Sequence, residues 1–195
     1  MKRALMLLGA VALVAVLVIG LTQAGGDGTA PREDGTFDLE QARRELAGAP
    51  APLAALHDQS NEILAGSPED FEARLREMRG HPVVINKWAS WCGPCRAELP
   101  ILQELSTSRG KQIAFVGVNA RDKRPAAERF AARFPVPYPS YEDPDEKIAR
   151  ALKAPSNFPV TLFVDDAGKT VFTHQGGYRT AADLQADIDR YLRGA

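Results

Sequence analysis

"VVINKWASWCGPCRAELP", residues 83–100, holds the only two cysteines of a 195-residue chain, Cys92 and Cys95, separated by Gly93 and Pro94. The run Val83-Val84-Ile85 has the β-branched, apolar character of a strand buried on both faces. From about Pro94, Leu99, Leu102 and Leu105 recur at helical spacing up to Gly110. The stretch therefore reads as a strand ending near Trp88-Ala89, a turn, and a helix beginning at the cysteines.

Two cysteines two residues apart can be half a metal site, a static clip or a working dithiol. At a helix start, unpaired backbone N–H groups and the helix dipole favour an anion. That lowers the pKa of Cys92 from about 8.5 towards neutrality and makes its thiolate the nucleophile. Pro94 fits the first turn, where a missing N–H costs nothing. Cys95, one turn further in and more buried, is placed to attack a mixed disulfide formed by Cys92. A zinc site needs about four ligands, and the remaining soft donors, His57, His81 and His174, are scattered singly. They read as surface or loop histidines. A clip across four residues closes too small a loop to stabilise much. The setting favours the dithiol without closing the other two readings.

Outward from this stretch, the chain alternates helix and strand. Ser67, Pro68 and Asp70 form a capping-box start for a helix carrying Phe71, Leu75 and Met78. Residues 112–119 read as a second buried strand, 125–134 and 145–152 as helices, and 181–192 as a final amphipathic helix. Residues 160–176 read as a hairpin turning at Asp166-Ala167-Gly168. This order predicts an α/β sandwich, a mixed sheet with helices on both faces. Tyr138 and Tyr141 are assigned to loop packing.

The front of the chain differs. Lys2 and Arg3 precede 18 uncharged, mostly apolar residues, Ala4 to Leu21. The run lies between a signal peptide and a spanning helix in length, and its basic flank keeps that end in the cytoplasm. Residues 1–24 are thus a signal anchor, or a signal peptide cleaved after Ala24, and the chain beyond them is exported. Residues 25–52 read as a flexible linker with a short helix near 37–48, ended by "APAP" at 49–52. Residues 53–195 form the domain. Exported proteins use disulfides as staples between distant segments, and no second pair exists to serve that way. A net charge of −1 gives no reason to expect nucleic acid.

"WASWCGPC" resembles the active-site motif of the thioredoxin superfamily. "NKWASWCGPCRAELP" more closely resembles its membrane-anchored TlpA/ResA/DsbE-like branch of thiol–disulfide oxidoreductases, over about residues 60–193. "NFPVTLFVDDAGKTV" is similar to the family segment in which a cis-proline, here Phe158-Pro159, faces the dithiol. Residues 121–157 are similar to the branch's inserted segment. The resemblance implies a thioredoxin-like three-layer sandwich with a central mixed sheet and an insert, behind an N-terminal apolar helix. It implies Cys92 as nucleophile and Cys95 as resolving thiol, with no cofactor and no metal. It also implies that Trp91, Phe158 and Pro159 orient the partner. Glu98 matches an acid the branch places near its site, a proton-tuning role to set against a solvated helix glutamate. Asn86 stands where cytoplasmic thioredoxins carry a buried Asp. Lys87 departs from the family's apolar residue and requires an acidic partner or a solvent path. The implied partners are disulfide-containing exported proteins such as apocytochrome c, and a membrane electron donor. Disulfide formation or isomerisation, and metal or copper delivery through the two sulfurs, are the competing readings.

Overall fold

The computed structural model describes residues 37–192. The apolar run at 4–21, the cleavage position after Ala24 and residues 25–36 of the linker lie outside them. No helix among the described residues is long and apolar enough to cross a membrane.

The chain runs α1 (Leu39–Leu46), α2 (Ala51–His57), β1 (Ile63–Leu64), α3 (Pro68–Glu77), β2 (Val83–Trp88), α4 (Gly93–Arg109), β3 (Ala114–Ala120), α5 (Arg124–Arg133), β4 (Ser140–Asp143), α6 (Lys147–Ala151), β5 (Val160–Val164), β6 (Thr170–Gln175) and α7 (Ala181–Tyr191). The six strands make one mixed sheet in the order β1-β4-β3-β2-β5-β6. β1, β4, β3 and β2 pair in parallel, while β5 joins β2 antiparallel and hairpins to β6. This is the expected thioredoxin-like α/β sandwich.

β2 lies at the middle and is buried along its whole length, as an apolar run of this kind requires. Because strand side chains alternate faces, Val84 and Trp88 join Leu99, Leu102 and Leu105 of α4, with Leu184 and Ile188 of α7, in one core. Val83 and Ile85 join Phe71 of α3 and Ile148 of α6 in the other. Asn86 and Lys87, one residue apart, therefore point to opposite cores. Gly117 of β3 is needed beside Asn86. A Cβ there would overlap the Ser140 hydroxyl, which accepts a hydrogen bond from Trp88 Nε1 at 3.0 Å.

The sequence signals for α3 to α7 and the hairpin hold to within a few residues. Ser67 and Asp70 complete their capping box. Three elements went unread. β4, "SYED", carries two acids in four residues; Asp143 turns inward and its carboxylate accepts from Ile148 N and Ala149 N, capping α6. Tyr141 is a β4 residue set edge-on to Phe71, not loop packing. β1 has only two residues, too short for any periodicity.

The third is α2. "APAP" does not merely end a helix: Pro50 is the N-cap of α2 and Pro52 lies in its first turn, where proline costs no hydrogen bond. His57, at its end, is buried rather than exposed, and burial lowers its pKa against the opposing charge of Asp58. α1 is also no part of a tether. Its Ala42 and Leu46 are each only 2 % exposed, and the helix packs on α4. Residues 38–52 belong to the folded body.

A Leu46→Ala substitution tests that placement. If α1 is part of the fold, the loss of a buried leucine costs about 2 kcal/mol or more in urea unfolding. A change within about 0.5 kcal/mol, typical of surface positions, would return residues 38–46 to the linker.

Candidate active site

The site begins where β2 ends. Ala89, N-terminal to the turn, is fully buried, and Cys92 N reaches back to Ala89 O at 3.1 Å. Ser90 is pinned from the far side: its N–H and hydroxyl both donate to the Asp122 carboxylate, at 2.5 and 2.9 Å. Asn119 Nδ2 and Lys123 N donate to the same group. Burial alone would raise the Asp122 pKa, but these donors together hold it below the usual carboxylate value. Asp122 was not singled out in the sequence. Its signal is the serine of "WASWC", a polar residue in a tight turn with no local partner.

Cys92 is the N-cap of α4 and Pro94 lies in the first turn. Cys95 N donates to Cys92 Sγ at 3.1 Å, so one of the helix's unpaired N–H groups is aimed at that sulfur. The two cysteines form a disulfide. Both are almost wholly covered, so Cys95 is not distinctly the deeper of the two in this oxidised state. Trp91, next to Cys92, is a large apolar side chain left exposed, at 56 %. Its indole donates to Arg121 O at 3.0 Å, and its ring meets the Phe158 ring edge-on at 5.0 Å. Trp88 is core, stacked on Phe130.

Phe158-Pro159 is a cis peptide, as expected of that X–Pro pair. Gly176 and Gly177 bring the chain after β6 close to it. A Cβ on Gly177 would lie 3.3 Å from Pro94 O, 3.6 Å from Glu98 Oε2 and 3.7 Å from Pro159 Cγ. The start of α4, Pro159 and Glu98 thus converge on one point.

Glu98 is not a solvated helix residue; it is 1 % exposed. Its two oxygens accept from Asn86 Nδ2 at 2.8 Å and from Tyr178 N at 3.1 Å. Burial pushes its pKa up to about 7, although both hydrogen bonds favour the carboxylate. Positions 95 and 98 are one turn apart on the same face of α4. Burial and the Glu98 charge raise the Tyr138 pKa, so its phenol stays protonated.

Lys87 has the acidic partner its position demanded. It is 1 % exposed, with Nζ 3.4 Å from Glu146 Oε1, a hydrogen bond to Pro155 O, and the Phe158 ring centroid 4.2 Å away. Burial lowers its pKa and the Glu146 charge opposes that. Among the described residues, no three His, Cys, Asp or Glu side chains are grouped to hold a metal ion.

The Redoxin family model matches residues 47–188. The thiol-disulfide oxidoreductase ResA of Geobacillus kaustophilus is 31% identical over 60% of this chain and 67% of its own. The thiol:disulfide interchange protein HelX of Rhodobacter capsulatus is 34% identical over 76% of this chain and 78% of its own. Among solved structures, a DsbF homologue from Corynebacterium diphtheriae shares 30% identity with a TM-score of 0.51, covering 60% of this chain and 75% of that one. With its paired sulfurs at the head of α4 and this kinship, the chain belongs to the Redoxin family, in its thioredoxin-like ResA/DsbE branch of thiol–disulfide oxidoreductases.

Proposed function

We propose that the chain acts outside the cytoplasm as a reductant of disulfides in exported proteins, of which apocytochrome c is an example. The observation that carries the reading is a disulfide-forming pair at a helix start, with Cys92 as the N-cap, whose first turn meets Pro159 and the buried acid Glu98 at Gly177. The basic flank and apolar run at the N-terminus support export and a membrane tether. That location requires a membrane electron donor, because cytosolic reductases cannot reach the site.

In the reduced enzyme, the Cys92 thiolate attacks one sulfur of the partner disulfide, and the other partner sulfur leaves as a thiolate. Trp91 and the backbone at Phe158 and Pro159 hold the partner against Cys92. Glu98 takes the proton from Cys95, whose thiolate then attacks Cys92 Sγ and releases the second partner sulfur. The partner gains two electrons, and the enzyme ends as the Cys92–Cys95 disulfide of this structure. Asn86 cannot itself titrate; it holds the Glu98 carboxylate by its amide.

Two outcomes test this. A Cys95→Ser variant accumulates partner proteins on Cys92 as mixed disulfides, visible as dithiothreitol-sensitive adducts, while the Cys92→Ser variant accumulates none. Adducts that persist without Cys92 would remove it as nucleophile. The wild-type potential is expected below about −200 mV; a value well above it would indicate an oxidant.

Glu98 carries a separate pH signature. Its folded pKa of about 7 lies above the ordinary 4.5, so the folded protein keeps a proton that the unfolded chain loses as pH rises. Its stability penalty is absent below about pH 4.5, grows up to about pH 7 and is then constant. For oxidised Glu98→Gln, unfolding stability relative to wild type is expected to rise across that window by roughly 3 kcal/mol at most. A pH-independent difference would place the Glu98 pKa near its ordinary value.

A further inference from the structure

Lys87 is the residue for which the dithiol mechanism has no use. It sits in the central strand, paired across to Val118 and Val160, on the face turned away from Asn86 and α4. A buried ion pair is at best a weak source of stability beside an apolar residue of similar size. What distinguishes Lys87 is where its partners lie. Glu146, Pro155 and Phe158 all belong to the segment that links β4 to β5 and delivers the chain to Pro159.

Those contacts continue and close on themselves. Glu146 Oε2 faces Arg121 Nε at 3.9 Å. The Arg121 carbonyl accepts the Trp91 indole N–H at 3.0 Å. The Trp91 ring meets Phe158, and Phe158 lies under the Lys87 ammonium at 4.2 Å. Arg121 and Glu146 both have left-handed backbones, φ 52° and 55°, which residues with a Cβ keep only where their surroundings hold them. Trp91 and Phe158, the aromatic residues exposed or half-exposed beside Cys92, are thus fastened at both ends. Glu98, held by Asn86 and Tyr178, has no part in the ring.

We propose that Lys87 is a positioning residue for partner recognition: through Glu146 and Arg121 it fixes the Trp91–Phe158 surface against which a protein disulfide is held, and it leaves the thiol chemistry alone. The inference rests on the reading of Cys92 as the attacking thiol and of Trp91 and Phe158 as the partner-facing surface.

Lys87→Met keeps the aliphatic stem and removes the ammonium, leaving Glu146 paired with Arg121. With dithiothreitol as electron source, the KM for insulin disulfides is expected to rise about fivefold or more, with kcat within about twofold. The rate on hydroxyethyl disulfide, too small to reach the aromatic surface, stays within about twofold of wild type. In the oxidised full chain, acrylamide quenching of tryptophan fluorescence increases as Trp91 loosens, since Trp88 is buried. Both the insulin KM and the quenching must move, and if either is unchanged the inference is overturned. An equal loss on both disulfides also overturns it, because it makes Lys87 structural or a determinant of thiol reactivity. If Lys87→Met does not fold, Glu146→Gln decides by the same measurements with the same signs. If wild type reduces neither disulfide, or Cys92→Ser still reduces them, the dithiol reading fails, and the quenching of the oxidised protein then decides the positioning of Trp91 by itself.

Discussion

The backbone N–H of Cys95 points at the Cys92 sulfur across 3.1 Å, and that geometry exists because β2 stops at Trp88 and α4 starts at Gly93. A sulfur at an N-cap faces the unpaired N–H groups and the positive end of the helix. The rest of the fold holds this junction in place. α4 lies across β2 through Leu99, Leu102 and Leu105, and Asp122 ties the intervening turn to the end of β3 through Ser90. With both anchors, the Cys92 sulfur is held against the Cys95 N–H.

β2 then divides the labour by its pleat. Its Asn86 face turns to α4 and holds Glu98, a buried acid with a pKa near neutrality. Its Lys87 face turns to the other core and holds the segment that carries Phe158. Two polar residues side by side in a buried central strand both cost desolvation. Each is met by partners from other elements, and under the proposed function one arrangement serves proton handling and the other the exposed aromatic surface.

Much of this was legible in order along the chain. The apolar run of β2, the leucine spacing of α4, the capping box before α3 and the Asp166-Ala167-Gly168 turn are local signals, and the structure keeps them. What was not legible depends on contacts between distant residues. "SYED" becomes a strand because β3 and β1 flank it, and its acids are absorbed by a helix cap and by an ion pair with Arg124. The burial of Glu98 depends on Tyr178, 80 residues on, arriving beside it. For Lys87 the sequence showed that an acid was needed, but not that Glu146, 59 residues away, would supply it. Asp122 was missed for the same reason, since its work is done on a serine 32 residues earlier. α2 was hidden by its prolines, which read as breakers although they sit where a helix tolerates them.

The helix-capped sulfur is most directly examined by alkylating the reduced protein with iodoacetamide across a range of pH and locating the modified cysteine by mass spectrometry. Cys92 is expected to react first, with a titration midpoint clearly below the ordinary thiol value of about 8.5. Preferential modification of Cys95, or equal reaction of both with an ordinary midpoint, would contradict the assignment of Cys92 as the activated thiol.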